Sequence, residues 1–98
     1  MPPNELNVFI EYGEFSPYST AVAPGQWVTW INKDEERTYT LVSDAVNGPE
    51  YLGTGPWWLS PGQYVSLQFT EFVAGTTFRF YDLEFPDSTM GTVAVSGG

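Results

Sequence analysis

The amino-acid sequence predicts an all-β sandwich of seven or eight strands. Gly and Pro recur about every ten residues, and Val, Thr, Tyr, Phe and Trp dominate the segments between them. This composition is typical of short strands joined by tight turns. No segment has the apolar spacing of a long helix. A chain of 98 residues has the length of one domain, so residues 1–98 are expected to form a single unit.

Turn residues divide the chain into seven predicted strands. Pro24-Gly25 and Pro61-Gly62 have the residue types of tight turns, because Pro presets the first turn dihedral and Gly accepts a positive φ. Segment 44–62 is the least regular and is expected to cross between the two sheets. The strands are predicted near residues 5–12, 19–23, 26–33, 38–43, 63–70, 76–82 and 90–96.

Alternation within the strands predicts which side chains form the core. In segment 76–82, Phe78 and Phe80 share a face with Asp82, so this carboxylate is expected to point inward. Val65, Leu67 and Phe69 share one face of their strand, and Val93 and Val95 share one face of the last. The side chains expected to be mostly buried are Val28, Trp30, Phe69, Phe78, Phe80 and Val93.

Charge and composition exclude several classes of function. Twelve acidic residues face only Lys33, Arg37 and Arg79, which gives a net charge of −9. This surface disfavours binding to nucleic acid or to anionic lipid, and it leaves a cationic partner possible. No apolar run approaches the roughly 20 residues of a membrane span, and no signal peptide is visible at the first residues. Without Cys there are no disulfides, and without His there is no ordinary catalytic triad.

Five segments carry a resemblance to a known family. They are residues 15–17 (FSP), 22–34 (VAPGQWVTWINKD), 60–62 (SPG), 75–81 (GTTFRFY) and 81–95 (YDLEFPDSTMGTVAV). In order and spacing, these segments resemble the cupredoxins of the plastocyanin and amicyanin type over residues 8–96. The resemblance implies a cupredoxin-like Greek-key β-sandwich and an extracytoplasmic location, periplasmic or secreted.

The same resemblance implies that the copper ligands have been lost. It places Asp82 at the Cys position, Phe85 and Thr38 at the two His positions, and Met90 at the Met position. A blue-copper site needs a thiolate and two imidazoles with a weak axial thioether, and this chain has no Cys and no His. We therefore expect no metal and no other cofactor, and we expect the four vestigial positions to converge at one end of the sandwich.

Asp82 needs a partner if it is buried there. The Thr38 hydroxyl is the expected donor, and Arg37 is the alternative partner. The favoured interpretation is a plug in which the Phe85 ring, the Met90 thioether and the pair Thr38–Asp82 fill the former metal hole. Two alternatives are a cation site and an acid catalyst in which Glu84 or Asp87 assists Asp82. The oxygen ligands of the cation site would come from Asp34, Glu35, Glu36, Asp82, Glu84 and Asp87.

Two surfaces are candidates for binding. Pro86 is expected to be exposed beside the former metal site, and if Phe85 is exposed as well, the two would form an apolar patch with an acidic rim. Trp57 and Trp58 follow Gly-Pro in the irregular segment, and one of them is expected to close the core while the other is exposed.

The sequence favours a non-enzymatic role. We expect a copper-free cupredoxin-like domain that acts as a non-catalytic binding or structural module, part of a larger extracytoplasmic protein or assembly. A protein partner or a neighbouring domain is expected, carbohydrate is possible, and neither nucleic acid nor membrane insertion is expected. One alternative is a carbohydrate-binding module that uses Trp57 and Trp58. Another is an electron-transfer blue-copper protein whose ligands were lost, were removed by engineering or come from another chain.

Overall fold

Two β-sheets pack face to face in the computed structural model, which describes residues 5–47, 55–86 and 88–97. The described residues form nine strands and one short 3-10 helix, Glu71–Val73. The strands are β1 Glu5–Glu11, β2 Glu14–Ser16, β3 Ser19–Val22, β4 Trp27–Asn32, β5 Tyr39–Ala45, β6 Trp57–Leu59, β7 Tyr64–Gln68, β8 Thr77–Asp82 and β9 Met90–Val95. The predicted all-β sandwich is confirmed, and the two strands beyond the seven predicted segments are the short β2 and β6.

The sheet order brings distant parts of the chain together. One sheet has the order β2-β1-β4-β7, and the other has the order β3-β9-β8-β5-β6. Strand β1 pairs in parallel with β4, and β3 pairs in parallel with β9, while the remaining pairs are antiparallel. The chain therefore crosses from one sheet to the other several times. Strands β6 and β7 are edge strands of the two sheets and lie on the same side of the sandwich.

An aromatic cluster fills the space between the sheets. The rings of Trp30 and Phe80 have centroids 4.2 Å apart, and Phe69 lies 6.3 Å from each of them. Phe78 completes the cluster at 5.7 Å from Phe69. Large rings supply most of the apolar area that a small sandwich can bury. All six side chains predicted for the core are at most 2% exposed, so that prediction is confirmed.

Strand β9 runs close to the segment that joins β2 and β3. A Cβ atom on Gly91 would lie 2.6 Å from the backbone oxygen of Tyr18 and 2.9 Å from the Phe15 ring. Only glycine fits this approach, which explains the Gly at the start of the Gly-x-Val-x-Val strand. Segment 48–54, the middle of the predicted crossing at 44–62, lies outside the described residues.

Candidate functional site

Asp82 ends strand β8 on the inner face of its sheet. Phe78, Phe80 and Asp82 alternate with more exposed neighbours, and all three are buried. The predicted inward direction of Asp82 is therefore confirmed. The carboxylate accepts a hydrogen bond from an Arg37 nitrogen at 3.3 Å and one from the backbone amide of Thr40 at 3.1 Å. The buried charge is thus paired and hydrogen-bonded.

The expected donor Thr38 does not supply these contacts. Thr38 is exposed. Within the described residues, the hydrogen bonds to the Asp82 carboxylate come from the Arg37 side chain and from the backbone amide of Thr40. No residue of segment 33–38 is buried, and the register pairs Leu41 with Asp82. This register brings the start of β5, and with it the Arg37 side chain, to the end of β8. The alternative partner considered for Asp82 is the correct one.

Arg37 lies between two aromatic rings. Its guanidinium carbon is 4.5 Å from the centroid of the Tyr39 ring and 4.9 Å from that of the Phe85 ring. A planar guanidinium stacks well on aromatic faces while its edge donates to a carboxylate. One Arg37 nitrogen would lie 3.3 Å from a Cβ atom on Gly13, so the guanidinium also abuts the β1–β2 turn. We call Asp34, Arg37, Tyr39, Asp82 and Phe85 the Arg37 cluster.

A second carboxylate ties the β1–β2 turn to the cluster. Asp34 accepts hydrogen bonds from the Tyr39 hydroxyl and from the backbone amide of Tyr12. The Tyr39 oxygen in turn accepts a 3.0 Å hydrogen bond from the amide of Gly13. Burial raises the pKa of the Tyr39 hydroxyl above its ordinary value, and the hydrogen bond to Asp34 raises it further. The Tyr39 hydroxyl therefore stays protonated and donates its hydrogen bond to the Asp34 carboxylate.

Asn32 fixes the segment that carries Arg37. Its side-chain amide is fully buried and donates to the backbone oxygens of Arg37 at 2.7 Å and Leu59 at 2.8 Å. Its oxygen accepts from the amide of Asp34 at 2.9 Å. One side chain thus satisfies three backbone groups that would otherwise be unpaired in the interior. The Asn-x-Asp spacing at residues 32–34 was the sequence signal for this arrangement, although sequence reasoning assigned it no role.

The plug interpretation was wrong for Phe85. The residue is 50% exposed and covers Arg37 from the solvent side, so its ring does not fill an interior hole. The side chain reaches outward because the loop after β8 turns at once, with the Phe85 amide donating to the backbone oxygen of Asp82 at 3.1 Å. Pro86 and Glu84 are also exposed, whereas Asp87 lies outside the described residues.

The four vestigial positions do not all converge as expected. Met90 pairs with Tyr81 in the β8–β9 register, and directly opposed residues share a face, so Met90 projects from the opposite face to Asp82. It lines a cavity with Glu14, Phe15, Tyr18 and Ser88. The buried residue near Asp82 on the inner face is Thr89, whose backbone oxygen accepts from the Asp82 amide at 2.9 Å.

The Arg37 cluster does not fit copper. A guanidinium lies next to the Asp82 carboxylate and against the Phe85 ring, the residues that the resemblance assigns to the Cys position and to one His position. This fixed positive charge opposes a metal cation, and the chain offers no thiolate or imidazole. Among the described residues, which leave out Asp87, no three Asp or Glu side chains form a group able to hold a metal ion, so the other five acidic residues proposed as a hard-cation site do not form one.

The two tryptophans of β6 point in opposite directions. Trp57 packs against the core, with its ring centroid 6.5 Å from that of Phe80. Trp58 is 66% exposed and pairs with Thr40 at the edge of the five-stranded sheet. It lines a shallow cavity of about 450 Å³ together with Gly62, Gln63 and Tyr64. We call these four residues the Trp58 cleft.

Comparison with known proteins identifies the class of fold. No protein-family model and no curated protein matches the chain. A reduced form of an amicyanin variant is 26% identical with a TM-score of 0.77, and a copper(I) form of another is 28% identical with a TM-score of 0.76. Each match covers 98% of this chain and 86% of the other. A purple cupredoxin from Nitrosopumilus maritimus is 27% identical with a TM-score of 0.70, covering 93% of this chain and 99% of that one.

The chain is a cupredoxin-like domain that lacks the copper ligands. Within that class it is similar to amicyanin, as the order of its sequence segments indicated. In the part of the chain that the structure describes, no helix has the length and apolar character needed to cross a membrane.

Proposed function

We propose that this domain is a non-catalytic binding or structural module of a larger extracytoplasmic protein or assembly. The observation that carries the proposal is the Arg37 guanidinium, which contacts the residues at two former ligand positions, Asp82 and Phe85, and is adjacent in sequence to a third, Thr38. A side-chain cation therefore contacts the residues at two of the positions that the resemblance assigns to copper ligands. The location outside the cytoplasm is supported only by the likeness to cupredoxins.

The Arg37 cluster gives this end of the sandwich a structural cross-link. It joins the start of β5, the end of β8, the loop after β8 and the β1–β2 turn through Arg37, Asp82, Phe85 and Gly13. A metal bound at the ligand positions that the resemblance assigns would join the first three of these segments, but not the β1–β2 turn. The absence of His and Cys also removes the usual base and nucleophile, which supports a role without catalysis.

An exposed surface next to the cluster supports a binding role. Tyr12 is 83% exposed, Phe85 is half-exposed, and the two line a shallow cavity of about 320 Å³ with Arg37 at its side. Pro86 adjoins them in the same loop and is exposed. We call Tyr12, Phe85 and Pro86 the loop-end surface. Large apolar side chains grouped at a loop end are typical of a contact with another molecule.

The backbone of Tyr12 strengthens this interpretation. Its φ is 55° and that of Gly13 is 75°, the paired left-handed conformation of a tight hairpin turn. For most residues with a Cβ this conformation costs about 1–2 kcal/mol of conformational free energy, and Gly or Asn adopts it more easily than Tyr. The Tyr12 side chain is 83% exposed, so its packing within the domain offsets little of this cost. Strain kept for an exposed ring points to a use outside the fold.

Charge around the loop-end surface selects the kind of partner. The acidic residues around it are Glu11, Glu14, Asp34, Glu35, Glu36 and Glu84. The cations of the chain are already engaged: Arg37 with Asp82, Arg79 with Asp44 at 2.9 Å, and Lys33 over the Phe9 ring at 4.9 Å. An apolar centre with an unneutralised acidic rim fits a protein segment that presents an apolar residue between Lys or Arg side chains.

Selection of peptides against the domain tests this proposal. Displayed peptides selected on the wild-type protein should be rich in Lys and Arg around an apolar residue, and salt should weaken their binding. Phe85→Ser should abolish that binding while Trp58→Ala, which alters the other exposed aromatic surface, should leave it intact. Binders that are insensitive to Phe85→Ser and to salt would exclude the loop-end surface as the docking site.

One observation favours a second candidate function, carbohydrate binding at the exposed Trp58. The sequence suggested both tryptophans of β6 for this role, but the packing of Trp57 against Phe80 supports only Trp58 as a contact residue. The electron-transfer alternative has weaker support, because ligands from another chain would meet the guanidinium of Arg37.

A further inference from the structure

The Trp58 cleft lies where the open edges of the two sheets meet. Strand β6 ends the five-stranded sheet and β7 ends the four-stranded sheet, and the turn at residues 60–63 joins them. Trp58 and Tyr64 flank this turn and are 66% and 68% exposed. Two large rings therefore stand on either side of a shallow open cavity.

Folding does not account for the exposed indole. The alternation of β6 sends Trp57 and Leu59 toward the core, and Trp58 is the outward residue between them. A polar residue would satisfy the same strand position and would favour solubility. A large exposed indole is the residue type that most often supplies binding energy at a recognition surface.

The polar groups of the cleft are arranged by the turn. The Gln63 side-chain oxygen accepts a 2.9 Å hydrogen bond from the amide of Ser60, and this contact orients the side-chain amide. The same amide carries two donors on Nε2, and the Tyr64 hydroxyl can donate and accept. Gly62, which also lines the cleft, has no heavy atom within 4 Å of where a Cβ would lie, so no other group fills the space beside it.

The charge of the cleft differs from that of the rest of the surface. None of its four residues is charged, although the chain carries a net charge of −9. A cationic partner would gain more at the acidic rim of the loop-end surface than here, and an anionic ligand would be repelled by the overall charge. The cleft thus suits a neutral ligand that has a flat apolar face and a polar edge.

We infer that the Trp58 cleft binds a neutral sugar. The apolar face of a pyranose ring stacks on the Trp58 indole, and its ring hydroxyls accept from the Gln63 amide and exchange hydrogen bonds with the Tyr64 hydroxyl. The inference deepens the carbohydrate-binding candidate and is independent of docking at the loop-end surface. The open, shallow shape fits one or two units of a chain more readily than an enclosed monosaccharide.

Titration with defined neutral oligosaccharides tests this inference. The probes are gluco-, xylo-, manno- and chito-oligosaccharides, followed by tryptophan fluorescence and by amide chemical shifts of the labelled wild-type protein. At least one probe should bind saturably and shift the amides of residues 58–64. Saturable shifts confined to other residues, or no binding of any probe at millimolar concentration, would overturn the inference.

Two variants make the result specific. Trp58→Ala should weaken sugar binding by about tenfold or more, as expected for loss of a stacked aromatic contact. Trp27→Ala is the matched control, since Trp27 is also partly exposed but lies in β4 and outside the cleft. Equal affinity of Trp58→Ala and wild type would refute the site even if a sugar binds. Phe85→Ser should keep full sugar binding, so failure of this inference and failure of the loop-end proposal give different results.

Discussion

Replacing Arg37 with Met should destabilise the domain by about 3 kcal/mol. The Asp82 side chain is only 4% exposed, and without Arg37 it keeps one hydrogen bond, from the Thr40 amide. Removing one partner of a fully buried ion pair costs roughly 3–5 kcal/mol. The Arg37 side chain is 36% exposed, so water screens part of the interaction and the ion-pair contribution falls to about 2 kcal/mol. Lost stacking on Tyr39 and Phe85 adds about 0.5–1 kcal/mol.

Urea unfolding followed by tryptophan fluorescence measures this change. In thermal unfolding of a domain of this size, about 3 kcal/mol corresponds to a fall in Tm of roughly 12–24 °C. A double-mutant cycle with Asp82→Asn separates the pair interaction from general packing, and the double variant should lose less than the sum of the single losses. Arg37→Met within about 0.5 kcal/mol of wild type, or strictly additive losses, would refute the role assigned to the Arg37 cluster.

Three further predictions test other parts of the structure. Phe80→Ala should lower the free energy of unfolding by about 3–5 kcal/mol, because loss of a fully buried ring leaves a cavity. The control Phe72→Ala, at a residue that is 72% exposed, should lower it by under about 1 kcal/mol. Similar losses in the two variants would mean that the strand faces are assigned incorrectly. Phe85→Ser should cost only about 1 kcal/mol in thermal unfolding, and a loss of several kcal/mol would restore the plug interpretation. The raised pKa of Tyr39 stabilises the fold at full strength below its unfolded pKa, and this contribution is lost as pH rises through the folded pKa. Unfolding measured above about pH 10 should therefore show an alkaline loss of stability, and this loss should be smaller in Tyr39→Phe. The pKa of Tyr81 is also raised, by burial and by Asp44, so replacing Tyr81 with Phe as well should make the loss smaller still. A stability profile that is the same in wild type and in Tyr39→Phe would contradict the network around Asp34.

Strand alternation predicted the core and the direction of Asp82. Two-residue periodicity decides which side chains face the interior, and Phe78 and Phe80 fix the face on which Asp82 must lie. The same rule contained the correction for Met90. Val93 and Val95 face inward, and position 90 is an odd number of residues away, so Met90 had to face outward. The resemblance assigned Met90 to the ligand position of the family's methionine, and that assignment took precedence over the outward direction that the alternation implied.

Long-range side-chain choices were not predictable in the same way. Thr38 and Arg37 are neighbours in sequence, and which of them reaches Asp82 depends on how segment 33–38 enters β5. That path is set by the buried amide of Asn32, which has no periodic signature. Phe85 was expected to be buried because the resemblance places it at a former ligand position, where its ring would fill the metal hole. The tight turn after Asp82 instead directs it outward over Arg37.

Copper binding by the purified domain tests the central claim most directly. The account holds that the Arg37 guanidinium contacts the residues at two of the positions assigned to copper ligands and that the chain has no thiolate or imidazole, so added Cu(II) should produce no intense visible absorption. The Tm should be the same with Cu(II), with a chelator and with neither. Tight stoichiometric copper with a blue or purple colour, or a Tm that falls on chelation, would contradict the account.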